Sequence, residues 1–441
     1  MLKRFRSLFD LRSKDSSGAD EVSDSAAQDT LSPQDCTHAT LVARQPIFDR
    51  ESRIWGFELL FRRAPDTNHC PDGVDSSIAT SSVISDGFSI VQPVLLPDQK
   101  VLINFSEELL TQQIPKVLPA ALCGVEILET VLPTREVLQS LIQLKKDGYL
   151  LAVDDYTGQK DLQLFVKVAD IVKVEVLGRP LAEVYEDVKK LKAFPCRLLA
   201  EKVEDRDTFL KCHKMGFDLF QGFFFARPEI MRGKKLSASQ AVKMRLLAKL
   251  ADEDFLISEV SEILRSDVSL VYKFMRYLNS VHFALPTKIK SVEHGITLLG
   301  SQKLKQWLCV TVLSDLESTP MSRHIVAQSA ERGKFLELLG KDARTSVDVN
   351  SLFLLGLLSL IETLLSISLD SLLQDMPIDE AMVAALKGEE SVYLPWMRLV
   401  SHYERAEWDE ALHDMTILGL EEAQVVSAYE QSLLWAASFF D

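Results

Sequence analysis

The chain of 441 residues has no uninterrupted apolar stretch of membrane-spanning length. Stable membrane insertion is therefore not expected. Its beginning also lacks the long hydrophobic core of a secretory signal. The six cysteines are scattered without short paired spacing, which argues against a disulfide scaffold and for free thiols in a reducing cytoplasm. No closely grouped Cys and His point to zinc. Basic residues are in deficit, with 49 Lys plus Arg against 64 Asp plus Glu and a net charge of -15. No concentrated basic stripe with aromatic platforms interrupts that acidity, so nucleic acid is not an expected partner. No Gly-rich phosphate loop follows an early strand, and no internal repeat of fixed period is present.

Apolar residues make up 47% of the chain, and its length exceeds what one core usually serves, so two substantial domains are expected. Lys3, Arg4 and Arg6 face Leu2, Phe5, Leu8 and Phe9 in the pattern of a short amphipathic anchor. That piece is too short to be a stable helix alone, and a frayed tail is the simpler state. Residues 12 to 38 are rich in Ser, Asp and Ala, so residues 1–38 read as a disordered leader. Order begins near Leu41, where 41–50 and 54–62 read as a hairpin or two neighbouring strands around the turn Glu51-Ser52-Arg53. Further strands are expected at 100–104, 124–128, 149–153, 170–175, 197–201 and 218–221, with helices at 76–91, 107–113, 134–146, 180–191 and 205–215. This alternation predicts an α/β domain over 39–234, a closed (β/α) TIM-like barrel in preference to an open doubly wound sheet. Pro228, Gly233 and the run to Lys235 mark a junction. From 235 to 441 the periodicity is helical, with segments at 237–251, 256–265, 267–279, 291–313, 322–338, 348–366, 378–386 and 391–406, and one or two more over 410–437.

Oxygen-bearing side chains recur at the ends of the strand candidates: Glu58, Asn104, Glu126, Asp154 with Asp155, Glu201 and Gln221. Strand ends of a barrel meet at one mouth, where such oxygens suit a hard divalent ion. Adjacent Asp154 and Asp155 allow one carboxylate to bridge two ions while the other holds the second. Crowded like charges repel, so the cluster is reasonable only with compensating cations. Lys173, on an apolar strand, supplies one ammonium for phosphoryl oxygens or for a salt bridge. Each residue also has a plainer role: Asn104 as a cap for a helix starting at Ser106, Glu129 as a solvated side chain, Glu204 as a helix-dipole partner, Gln221 as a satisfied buried amide.

The run Gly56-Phe57-Glu58-Leu59-Leu60-Phe61-Arg62 resembles the signature of the EAL domain, a barrel family that hydrolyses cyclic di-GMP, with Leu59 in place of the usual Ala. With a helical domain after it, the chain resembles the EAL–HDOD, or YuxH-type, architecture. The resemblance implies Glu58, Asn104, Glu126 and Asp154 as ligands of a first metal, Asp155 as ligand of a second, and Glu201 close to metal. It implies Lys173, Glu201 and Gln221 as the groups around the attacking water, Glu129 and Glu204 as loop support, and Arg62 as a phosphate contact. The implied cofactors are two Mg2+ or Mn2+ ions, and the implied product is linear di-GMP. Two departures stand out. The family's Asp-Asp-Phe-Gly-Thr-Gly loop is replaced here by Asp154-Asp155-Tyr156-Thr157-Gly158-Gln159-Lys160-Asp161, and Lys202 replaces a Gly, where a long cation either holds a phosphate or obstructs the site.

The helical half resembles HDOD through Arg276-Tyr277-Leu278-Asn279-Ser280, Ile289-Lys290-Ser291-Val292 and Ile296-Thr297-Leu298-Leu299-Gly300. Where an HD enzyme carries His-Asp, this chain has Gly356-Leu357-Leu358-Ser359-Leu360. His324, His294 and His282 read as structural, and His413-Asp414 has no matching partners. The helical half is thus expected to dock a signalling protein rather than to catalyse, and the resemblance also implies a homodimer. Two functions follow: a cyclic di-GMP phosphodiesterase, or an inactive cyclic di-GMP receptor or scaffold.

Overall fold

The computed structural model describes residues 41–62, 76–159, 162–223, 292–316, 319–343, 347–373 and 378–439, with isolated positions between 240 and 278. The expected leader, the junction at Pro228 to Lys235 and the helical segment 256–265 lie outside the described residues.

Eight strands close into a barrel in sequence order: β1 (Val42–Asp49), β2 (Ile54–Phe61), β3 (Lys100–Phe105), β4 (Cys123–Ile127), β5 (Leu150–Val153), β6 (Ile171–Glu175), β7 (Arg197–Glu201) and β8 (Leu219–Gln221). β1 runs antiparallel to both β2 and β8, and all other neighbours are parallel. The reversal comes from a tight turn: Asp49 accepts hydrogen bonds from the backbone N–H of Glu51 and Arg53, each at 2.9 Å. The parallel strands are joined by helical crossovers: α1 (Ser76–Val91), α2 (Glu107–Thr111), α3 (Arg135–Lys146), α4 (Gln163–Val166), α5 (Leu181–Leu191) and α6 (Arg206–Met215). Thr134 caps α3 by accepting from Val137 N, Asp205 caps α6 by accepting from Thr208 N, and both remove an orphan donor.

Alternation along the strands sorts side chains into layers. Ile47, Leu102, Ala152, Ile171, Leu199 and Leu219 form a buried apolar plug inside the barrel. Two residues further along each parallel strand toward its carboxyl end stand Asn104, Asp154, Lys173, Glu201 and Gln221. The register sets Glu58 opposite Leu102 and Gln45 opposite Glu58. At Gly56 a Cβ would lie 2.3 Å from the Lys100 carbonyl oxygen, so glycine is required for β2 to approach β3.

The second half is helical: α7 (Val292–Leu299), α8 (Ser301–Ser314), α9 (Pro320–Asp342), α10 (Val349–Leu358), α11 (Ile361–Leu365), α12 (Leu369–Leu373), α13 (Glu380–Leu386), α14 (Leu394–Glu404), α15 (Trp408–Leu418) and α16 (Glu422–Ala437). The expected single helix at 291–313 is divided at Gly300, whose φ of +80° is outside the helical region. The expected 348–366 helix divides into α10 and α11 around Ser359 and Leu360. α9 and α10 cross closely enough that a Cβ on Gly356 would lie 2.5 Å from the backbone of Arg332 and Gly333.

Two apolar cores serve this half. One is built from helices alone and includes Phe274, Trp307, Val326 and Leu357. The other is continuous with the outer wall of the barrel, joining Leu41, Val42 and Phe48 to Phe335, Tyr403, Val425 and Leu433. Phe48 meets the His324 ring edge-on at 5.1 Å, Arg44 pairs with Glu331, and Arg62 pairs with Glu422 at 3.0 Å. No helix among the described residues is long and apolar enough to cross a membrane.

Candidate active site at the barrel mouth

The second inward layer converges on Lys173. Its ammonium lies 3.2 Å from Glu58 Oε2, 3.0 Å from Asp154 Oδ1 and 2.8 Å from Glu201 Oε1, and it also bonds Glu126 Oε1. Lys173 is 1% exposed and Glu126 fully buried, so these charges interact through protein rather than water. Around them Asn104 Nδ2 donates to Glu58 Oε1 at 3.0 Å. Gln221 Nε2 donates to Glu58 Oε2 at 2.7 Å and to Gln45 Oε1 at 3.1 Å. Asn104 sits on β3 with its amide turned to Glu58, while Ser106 is the N-cap residue of α2.

Electrostatics follow from this crowding. Burial, with Glu58 nearby, holds the Glu126 carboxyl well above the usual range despite Lys173. Burial likewise pushes Glu201 up to about 8, with Lys173 opposing and Asp154 and Glu58 adding to the rise. Burial alone would depress the Lys173 ammonium, but Glu126, Glu201, Glu58 and Asp154 together hold it well above its ordinary value. Four carboxyl groups thus share a single ammonium.

Four buried polar atoms at the mouth have no hydrogen-bond partner: Asn104 Oδ1, Glu126 Oε2, Glu201 Oε2 and Gln221 Oε1. Unsatisfied buried acceptors are costly, and four on residues of one acidic cluster fit a divalent cation with its waters. Beside them, oxygens of Glu129, Asp154 and Asp155 lie within 4.8 Å of one another, with Glu129 exposed and both Asp residues half-buried. Asp155 stands at φ +42°, and burial, followed by the Asp154 charge, raises its carboxyl.

The other expected residues are arranged less centrally. Glu204 is half-buried in the connection between β7 and the Asp205 cap of α6. Lys202 extends its ammonium to Glu175 Oε2 at 2.7 Å. Arg62 donates to Glu422 of α16 at 3.0 Å. Gln45 was not among the expected residues; its only sequence signal is a polar side chain inside the first apolar strand. His324 is buried against Phe48, with burial lowering its pKa to about 3. Asp414 is engaged by His402 Nδ1 at 2.7 Å, and His413 is exposed.

The closed barrel and its acidic mouth are continued by a helical half, of which residues 236–376 match the family model of the HDOD domain. The chain is 32% identical over 410 residues to the uncharacterized protein YuxH of Bacillus subtilis (strain 168), covering 91% of this chain and 98% of that one. It belongs to the family of that protein. It is also 28% identical over 406 residues to the cyclic di-GMP phosphodiesterase CdgJ of Vibrio cholerae, covering 91% of this chain and 94% of the relative. Among solved structures, the Klebsiella pneumoniae BlrP1 complex with calcium and cyclic di-GMP is 22% identical over 43% of this chain and 56% of its own, with a TM-score of 0.37. The family assignment rests on the full-length sequence relationship.

Proposed function

We propose that this protein is a cyclic di-GMP phosphodiesterase that opens one phosphodiester to give linear di-GMP, with Mg2+ or Mn2+ at the barrel mouth. The single observation that carries the reading is the set of four buried, unpartnered oxygens around an acidic cluster. The full-length similarity to CdgJ, a cyclic di-GMP phosphodiesterase, supports the substrate. Glu58, Asn104, Glu126 and Asp154 would hold one ion, Asp155 would hold a second, and Glu201 stands close by. Bound there, the metal supplies a water of lowered pKa and positive charge for phosphoryl oxygens.

The chain's own residues do the rest. Lys173 fixes the spacing of four carboxylates and sets an ammonium where phosphoryl charge develops. Glu201, bonded to Lys173 through Oε1, leaves its buried Oε2 unpartnered toward the reacting water. Gln221 is held by Glu58 and Gln45 through its nitrogen, which leaves Oε1 to orient a water. Arg62 and Lys202 are the cations at hand for the substrate phosphates, and Glu129 and Glu204 support the loops beside them. Residues 39–234 form the catalytic domain in this reading, and 235–441 form a helical domain that docks a signalling partner. The protein works in the cytoplasm as a homodimer.

One observation favours the receptor reading: the Arg62 and Lys202 side chains are engaged by Glu422 and Glu175. Product analysis with Mg2+ or Mn2+ separates the two. The expected result is linear di-GMP, abolished by EDTA and reduced about 100-fold or more in Glu58→Ala. Nucleotide binding without any metal-dependent product would establish the receptor instead.

A further inference from the structure

We propose that Lys202 is a fixed cation on the outer side of the mouth, and that it limits the site to one tightly held divalent ion. The inference rests on the reading of this mouth as a metal site. On the inner side, Glu126 Oε2, Asn104 Oδ1, Gln221 Oε1 and Glu201 Oε2, the last on a residue 8% exposed, are buried without hydrogen bonds. There four carboxylates face one ammonium, that of Lys173. A cation added among them meets unpartnered oxygens and a single competing ammonium.

The outer side is balanced differently. Its oxygens belong to Glu129, Asp154 and Asp155, within 4.8 Å of one another, and Asp154 is shared with the inner group. Lys202 follows Glu201 directly, at φ +52°, a left-handed backbone that glycine adopts freely and lysine only with strain. Glu175 and Glu201 are paired in register on β6 and β7, and the Lys202 ammonium crosses to Glu175 Oε2 at 2.7 Å. Its charge also acts on Asp155 and Glu201. Glu175 is thereby neutralised, and a second ion beside Asp155 meets a like charge already in place. The Lys202 side chain is 55% exposed, so solvent screens this repulsion, and the outer ion is weakened rather than excluded.

The test is a Mn2+ titration of the full chain, with free Mn2+ followed by electron paramagnetic resonance. The unaltered protein is expected to hold one Mn2+ per chain, with a second bound at least tenfold more weakly. Lys202→Gly is expected to bind two with comparable affinity, and it relieves backbone strain, so its fold is preserved. Lys202→Gln keeps the left-handed backbone and removes only the charge; a gained second ion in it assigns the effect to the ammonium. Two equally tight ions in the unaltered protein, or one ion in all three forms, would overturn the inference and leave the metal reading standing. No Mn2+ bound by any form would overturn both.

Discussion

At the scale of single residues, Lys173 is the keystone of the mouth, because it touches Glu58, Glu126, Asp154 and Glu201 at once. Removing one partner from a buried charge group strands the others, at about 3–5 kcal/mol. Lys173→Met should therefore lose about that much stability in EDTA and recover most of it in Mn2+, as measured by urea unfolding under the two conditions. The oxygens of this site were legible in the sequence because each stands at the end of an apolar run, and strand ends of a barrel share a mouth. The central place of Lys173 was not: order along a chain gives the layer a residue occupies, not its distance from residues on other strands. Gln45 is illegible in the sequence for the same reason, since its role rests on its bond from Gln221. Lys202 stands out in the sequence by its type, but its turn toward Glu175 depends on a positive φ that no neighbouring residue announces.

Among the elements, β1 carries the most unlike pair of faces. Gln45 points to the mouth and bonds Gln221, while Arg44 and Phe48 point outward to Glu331 and His324 of α9. Alternation in the sequence marked β1 as a strand, yet its second face reads as ordinary outer wall until α9 is laid against it. Helix ends were less legible than helix cores: the stop at Gly300 and the division around Ser359 interrupt otherwise unbroken apolar periodicity. The α9–β1 contact should be sensitive to acid. Burial, then the Arg44 charge, lowers His324 to about 3, so it stays neutral in the fold while the unfolded chain takes a proton near 6.5. The resulting stability is present above about pH 6.5 and falls by about 1.4 kcal/mol per pH unit below it. A His324→Leu variant should show a flatter stability profile between pH 6.5 and 4, as followed by denaturant titration at each pH. An unchanged slope would show that other groups set the acid response.

Taken whole, the molecule joins its halves through polar contacts as well as apolar ones. Arg62, half-buried at the end of β2, is held by Glu422 in the first turn of α16. A pair this exposed contributes about 0–1 kcal/mol, so a phosphate can displace the carboxylate at modest cost. Glu422→Gln should tighten cyclic di-GMP binding by up to about fivefold in EDTA, read by calorimetry. Arg62→Ala should weaken it whether or not Glu422 is present. The same joint orders events during synthesis. Leu41 and Val42, near the start of the described chain, share one core with Val425 and Leu433, near its end, and α14 and α16 lie against β1 and α1. The intervening polypeptide includes the whole HDOD match. At roughly 5–20 residues per second, the barrel wall made first waits on the order of half a minute for the helices that cover it. A nascent chain stalled anywhere before α14 therefore presents an open greasy flank to the translating cell, and it is in that interval that chaperones have something to hold.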